Sequence, residues 1–475
     1  MKNKCFFPIL LLVSAFIISG CNNANPSTSG SSGGSGDGSA PVEPPAAQPL
    51  KREVIINVDP MLKTTGGDIY HLSFDYDDEY FLSSAKTYNQ DLSMLSYGVS
   101  LATATARRGA NFFMDTKFED ISIHDYDSKP TKDSMGYFLA HKSIGESELF
   151  VVAFRGFNYG LEWTNNFLIG KTGNHEGFNA RGEEAYQALQ DYIAKYAKDR
   201  PLKLWINGYS RAGAVSNVLS SLILKDNKVN VTQDNMFVYT FEAPASLIEE
   251  NAIAYENVHN IINKADLVAS IPPKSYGLYR CGVDYQIYDE NVSALIKQFD
   301  PAAEFPEFIA IDDLTEEPIN SDTDFLNYCL DTVFNKEETS SDTTIYVNTR
   351  EQYVDNYQAG LSSCIGYIFG LKDSTRSQLL TDLTGLGFGA LSIIGDQTGE
   401  ELLKFIKPYL DKDKVSYNEE QLLSDCAIFI KAVGNLFLTI LLIYISDQYS
   451  PDLVRLIDMH FPETTYVLLK NAHSK

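Results

Sequence analysis

Basic residues are in short supply: 38 Lys and Arg stand against 63 Asp and Glu in 475 residues, a formal net charge of −25. That balance gives the Coulomb term the wrong sign for nucleic acid and for electrostatic docking on an anionic membrane. Cysteine is sparse too, with six in the chain. Their spacing matches no zinc pattern, which argues against a structural or catalytic zinc site. The acidic group Asp75, Asp77, Asp78 and Glu79 lacks the glycine and spaced ligands of a calcium-binding helix–loop–helix, so it reads as a solvated turn. No metal and no cofactor is expected. Beyond the leader, long apolar runs are missing: in 426–446, Lys431 and Asn435 leave only residues 436–445 as an apolar stretch, too short to span a bilayer comfortably. No internal repeat is evident.

What is present begins with an export pattern. Lys2 and Lys4 precede an apolar segment from Phe6 to Ile18, and Ile18-Ser19-Gly20 leads into Cys21. Small residues running directly into cysteine resemble the lipobox of bacterial lipoproteins. The resemblance implies that residues 1–20 are a signal peptide and that Cys21 is lipidated as the mature N-terminus. It also implies a location at the extracytoplasmic face of the bacterial cell envelope. Each buried methylene adds about 0.8 kcal/mol, so several acyl chains on one residue would hold the membrane stably. The other reading is a cleaved signal with a chance cysteine. Residues 21–50 are Gly/Ser-rich and then Pro-rich, a tether without core-forming residues. In an exported protein Cys281, Cys329, Cys364 and Cys426 are free to form disulfides, and four cysteines allow three pairings.

The body of the chain divides by pattern. "EVIINV" and "YHLSF" are short strand-like runs, and 89–109 carries apolar residues at helical spacing with a glycine end. Strands are expected at "ELFVVAFRG", "LKLWING", "NMFVYTFEAP" and "NVHNIINKAD", with helices over 183–199 and after Ser210. This alternation predicts an α/β fold with a mostly parallel central sheet. Beyond about 276 the alternation gives way to helices and loops. The expected organisation is a core over 51–279, a large helical insertion over 280–450, and a return to the core over 451–475.

Within "LWINGYSRAGAVSN", Gly208-Tyr209-Ser210-Arg211-Ala212 fits a relaxed G-x-S-x-G elbow. In that turn a serine hydroxyl is exposed on a strained strand-to-helix reversal, and the flanking residues must be small. Such a serine needs a base, and the base needs an orienting carboxylate. Of seven histidines only His460 and His473 follow the later strands. His473 stands third from the end, where a fixed geometry is hard to hold, so His460 is the better candidate. Asp266 directly follows the strand "HNIIN", whereas Asp226 and Asp234 fall at the wrong end of the sheet. The backbone N–H groups of Arg211, next to the serine, and of Phe157 in "AFRGF" are the candidate oxyanion donors.

Taken together, "VVAFRG", "HEGF", "INGYSRAGA", "VYTFEAP" and "NKADLVASIPP" resemble the class 3 (fungal-type) lipases of the α/β-hydrolase superfamily, in the family's order. The resemblance implies nucleophile Ser210, acid Asp266 and base His460, with Phe157 and Arg211 at the oxyanion hole. It gives His175 a packing role. It implies a lipid or other carboxylic ester as substrate. There are departures. Phe157 replaces the Ser or Thr usual after "FRG", Ala212 replaces a glycine, and Glu242 stands where glycine is common. The interval from Asp266 to His460 exceeds that of compact members, which suggests a cap inserted between acid and base. Two other functions stay open: a non-catalytic surface lipoprotein binding lipid, glycan or protein on this fold, and transfer of an acyl group to an alcohol or amine in place of water.

Overall fold

The computed structural model of the chain describes residues 49–62, 69–126, 131–197, 199–308, 318–334, 349–385, 398–445 and 455–474, with single positions 310, 393 and 396. The leader, Cys21 and most of the tether lie outside the described residues. An antiparallel hairpin, β1 (Lys51–Val58) and β2 (Tyr70–Asp77), comes first. Its alternating burial is that of a ribbon with one wet face. Two helices follow, α1 (Gln90–Ala102) and α2 (Ala106–Asp115). The single helix expected over 89–109 is therefore broken. Thr105 is extended and its side chain accepts from Arg108 N–H, starting a second helix that runs through Gly109.

The central sheet has seven strands in chain order: β3 (Glu119–His124), β4 (Tyr137–Ile144), β5 (Ser147–Phe154), β6 (Leu202–Tyr209), β7 (Met236–Phe241), β8 (Val258–Asn263) and β9 (Val283–Ile287). The strands from β5 to β9 pair in parallel, while β3 and β4 add an antiparallel edge. Every residue of β7 and β8 is buried, as expected of parallel strands covered on both faces. On one face α3 (Glu176–Tyr196) and α4 (Arg211–Asp226) place Leu189, Val215, Val218 and Leu219 over Ile206 and Val238. On the other, Trp205, Phe237 and Phe241 meet Phe81, Leu95 and Tyr97, with the Trp205 indole donating to Ser96 Oγ at 2.9 Å. This is an α/β-hydrolase architecture with a helical insertion.

The core does not stop at 279. Strand β9 pairs with β8, and the buried Val292 and Ile296 of α5 (Val292–Phe299) join the same core as Phe325 and Leu326 of α6 (Asp322–Phe334). The sequence conceals this because β9, "VDYQI", is an edge strand with mostly exposed or half-exposed residues and no apolar run. The acidic turn is also corrected. Asp77 and Asp78 are buried; Asp77 caps the turn at Glu79, and Asp78 takes a 2.8 Å hydrogen bond from the buried Lys142 ammonium and 2.7 Å from Tyr76.

The insertion proper has its own core. Ile365 and Phe369 of α7 (Ala359–Gly370) and Leu379 of α8 (Asp373–Gly385) pack with Leu402 and Ile406 of α9 (Glu400–Asp413) and Leu422 of α10 (Glu419–Ile445). Among the described residues no helix is long and apolar enough to cross a membrane. All four described cysteines are buried thiols, and Cys364 and Cys426 face each other between α7 and α10. The cap core includes Tyr159 and Trp163 from the segment after β5, with the Trp163 and Phe369 rings stacked at 6.1 Å. The chain re-enters the core at Arg455, whose buried guanidinium pairs with Asp322 at 2.8 Å, and ends in α11 (Pro462–His473).

The cap is tied to the core by Arg350. Its guanidinium donates to the carbonyls of Ile169, Gly170, Thr172, Gly173 and Asn174 at 2.5–3.3 Å, while Tyr353 and Gln358 bond Phe167 O and Gly170 N at 2.9 Å. Arg350→Ala should lower stability by about 3 kcal/mol, since losing the charged donor leaves the buried Ile169 and Gly170 carbonyls unpaired. Limited proteolysis should then cut within 349–445 faster while the sheet stays protected. Unchanged protease resistance of the cap would contradict this anchor.

Candidate active site

Tyr209 closes β6 and Arg211 opens α4, so the chain reverses at Ser210 alone, with φ 58° and ψ −130°. This is an unfavourable backbone for an L-residue, of the kind concentrated at functional sites. It persists because the neighbours leave no alternative. A β-carbon on Gly208 would lie 2.4 Å from the Ala212 carbonyl, so only glycine permits the strand and helix to approach so closely. Ala212, in the usual glycine position, is fully buried, and the further close approach falls on Gly213, whose added β-carbon would meet Ala243 at 2.8 Å. The Ser210 N–H donates to Phe241 O at 2.7 Å, locking the turn onto β7.

Ser210, Asp266 and His460 come together here. His460 Nε2 is 2.8 Å from Ser210 Oγ, and its Nδ1 is 2.6 Å from Asp266 Oδ2. Asp266 is fully buried, and its Oδ1 accepts from Val268 N–H at 2.7 Å. A neutral imidazole in this chain carries its proton on Nδ1, toward the carboxylate, and leaves Nε2 as the acceptor of the serine proton. His473 is elsewhere, half-exposed beside Asp91.

The loop carrying His460 is fixed from three sides. The Tyr209 phenol donates to the His460 carbonyl, and its ring lies over the imidazole with centroids 5.3 Å apart. Asn263, at the end of β8, donates to Met459 O at 3.0 Å, and Thr464 Oγ1 donates to Asp458 O at 2.6 Å.

Arg211 is the first residue of α4, so its N–H has no intrahelical acceptor and lies at the positive end of a 16-residue helix. Gly156 brings the loop after β5 against the elbow, where an added β-carbon would sit 2.2 Å from Tyr209 O. Phe157, next in sequence, packs edge-on to the Tyr209 ring at 5.8 Å. Among the described residues, neither the Phe157 nor the Arg211 backbone N–H has a hydrogen-bond partner. Both are thus free to donate, by backbone alone.

The same loop carries a buried charge network. Glu162 is fully buried between Arg155, which it contacts through Oε1, and Arg211, which donates from Nη1 to Oε2 at 2.5 Å. The Arg211 guanidinium also lies 4.5 Å over the Tyr159 ring and donates to Asn166 Oδ1 at 3.2 Å. These contacts join α4 to the segment on which the cap rests. His175 caps α3, its Nδ1 accepting from Phe178 N–H at 3.4 Å with the two rings 3.9 Å apart. Burial pushes its pKa down to about 3, so it is a neutral packing residue.

Glu162, Tyr209 and Asn263 had no signal in the sequence. Each acts through a partner far along the chain, and no local pattern marks it. Glu242 was visible only as a departure from glycine. The structure makes it a fully buried carboxyl with φ 50°, packed against Asp266.

Residues 151–276 match the family described as lipase (class 3). The chain is similar to a lipase of Rhizomucor miehei, 24% identical over 164 residues, covering 31% of this chain and 44% of that protein; it thus spans less than half of that relative's length. Among solved structures it is similar to the Rhizomucor miehei lipase–propeptide complex (20% identity, 43% of this chain and 71% of that one, TM-score 0.32). It is also similar to a lipase of Rhizopus microsporus var. chinensis (21% identity, 43% and 76%, TM-score 0.32).

Removing Glu162 leaves two arginines buried without their counter-charge. Glu162→Leu should destabilise the protein by about 3–5 kcal/mol, measured by denaturant unfolding. A change within about 0.5 kcal/mol would show that this carboxylate does not hold the network together.

Proposed function

We propose that the chain is a serine ester hydrolase acting on lipid or other carboxylic esters. The observation that carries this reading is the continuous chain from Ser210 Oγ through His460 to Asp266, set on a strained strand-to-helix elbow. In the reaction Ser210 Oγ attacks the ester carbonyl as His460 Nε2 takes its proton. The carbonyl oxygen becomes an anion, stabilised by the Arg211 and Phe157 N–H groups and by the N-terminus of α4. Asp266 keeps the imidazole in the productive tautomer and stabilises the imidazolium. His460 then protonates the leaving alcohol. Water, deprotonated by the same nitrogen, cleaves the acyl-enzyme and restores Ser210.

The family match over 151–276 supports the reading and agrees with ester chemistry. Ser210 and His460 are buried, at 8% and 6% exposure, which leaves a role for a segment that controls access to them. In our reading the cap admits and selects substrates. The leader and Cys21 support a lipid anchor that holds the enzyme at the extracytoplasmic face of the cell envelope, with the tether as spacer.

Ser210→Ala should cut turnover of a p-nitrophenyl ester by about 10⁴-fold or more with the fold intact, and should abolish labelling by a fluorophosphonate. Undiminished turnover in that variant would sink the assignment. For the anchor, Cys21→Ser should move the full-length protein from the membrane fraction to the soluble fraction. Retention in the membrane would refute attachment through this residue.

A further inference from the structure

Glu242 occupies a position that chemistry would leave to glycine. It directly follows β7, its backbone lies in the left-handed region at φ 50°, and its side chain is fully buried. Each of these is unfavourable for a glutamate. What the side chain gains is a set of contacts joining both loops that carry the proposed acid and base. Oε2 accepts from Asn263 N–H at 2.8 Å, three residues before Asp266. Oε1 accepts from the Thr465 hydroxyl at 3.2 Å, on α11 five residues after His460. Asn263 in turn donates to Met459 O. The Glu242 carboxyl also adjoins the Asp266 carboxyl, close enough for the two to interact.

Two adjoining buried carboxyls cannot both be ionised. Asp266 is the anion of the pair, because it accepts the His460 ring N–H and the Val268 N–H. The shared proton therefore resides on Glu242. We propose that Glu242 is a positioning residue for Asp266: as a neutral carboxylic acid it donates its proton to the Asp266 carboxylate and holds that carboxylate on His460. This inference rests on the reading of Ser210, His460 and Asp266 as the catalytic set.

Burial first, then the negative charge of Asp266, hold the Glu242 carboxyl well above the usual carboxylate range. The titratable groups facing it are Asp266 from the loop after β8, Tyr97 from α1 and Tyr209 from β6. Both tyrosines are held well above their ordinary values by burial and stay neutral. A carboxyl raised in the folded state favours folding fully only below its unfolded value. Its contribution is lost as pH rises through the folded value. Glu242→Gln cannot ionise, so its melting temperature should gain on the native protein's as pH increases.

Three measurements on the full chain test the role. Infrared difference spectra between the native protein and Glu242→Gln at neutral pH should show a protonated carboxyl C=O stretch that shifts in D2O; a missing band overturns the proposal, whatever the protein hydrolyses. The low-field proton resonance of the His460–Asp266 hydrogen bond should move in Glu242→Gly and stay in place in Glu242→Gln. If Glu242→Gly leaves it unmoved, Glu242 does not position Asp266. Where ester turnover is present, Glu242→Gln should retain kcat within about 3-fold and remain active further into the alkaline range. Glu242→Gly relieves the backbone strain yet should lose about 10- to 100-fold in kcat with KM little changed. Equal kcat and equal pH profiles in all three proteins would overturn the proposal. Absence of both turnover and fluorophosphonate labelling in the native protein would instead count against the hydrolase reading, while the infrared and resonance results still decide the place of the proton.

Discussion

The backbone reversal at Ser210 is the constraint around which the rest is arranged. A strand and a helix joined by one residue must approach more closely than side chains allow, which is why Gly208 faces the Ala212 carbonyl and Gly213 faces Ala243. The strain is held by the parallel sheet, since the Ser210 N–H is tied to Phe241 on the neighbouring strand. With the serine so placed, the first helical N–H of α4 lies beside its hydroxyl, and the loops following β8 and preceding α11 converge on it.

Charge is handled differently inside and outside. The chain as a whole is strongly acidic, while several buried charges have specific partners: Glu162 with Arg155 and Arg211, Asp322 with Arg455, Asp78 with Lys142. Such pairs contribute little net stability against an apolar alternative, but losing one member is costly. Their value here is positional. Arg455 fixes the point where the chain returns from the cap, five residues before His460. Arg211 links α4 to the platform under the cap.

That platform joins the cap to the loop after β5. Tyr159 and Trp163 belong to the cap's hydrophobic cluster, yet they follow Phe157 within six residues. The segment after Phe157 is thus packed into the cap, and the Arg350 clamp ties the cap to residues 169–174.

The elbow, the strand before Asp266 and the order of the pieces were legible in the sequence because each depends on local patterns: apolar runs for buried strands and small residues at a sharp turn. The edge strands β3 and β9 and the break at Thr105 were not, since half-exposed strands and capped kinks lack strong periodicity; β4 is buried, but His141, Lys142 and Ser143 interrupt its apolar run. His460 could be reached only by elimination, because nothing within the chain segment around it marks a base. Folding alone brings it across 250 residues to Ser210, and folding alone makes Glu242 a buried neighbour of Asp266. Local sequence thus determined which residues are capable of this chemistry. Tertiary structure decided which of them meet, because contact across long loops follows from packing and from the satisfaction of buried polar groups, which no short stretch encodes.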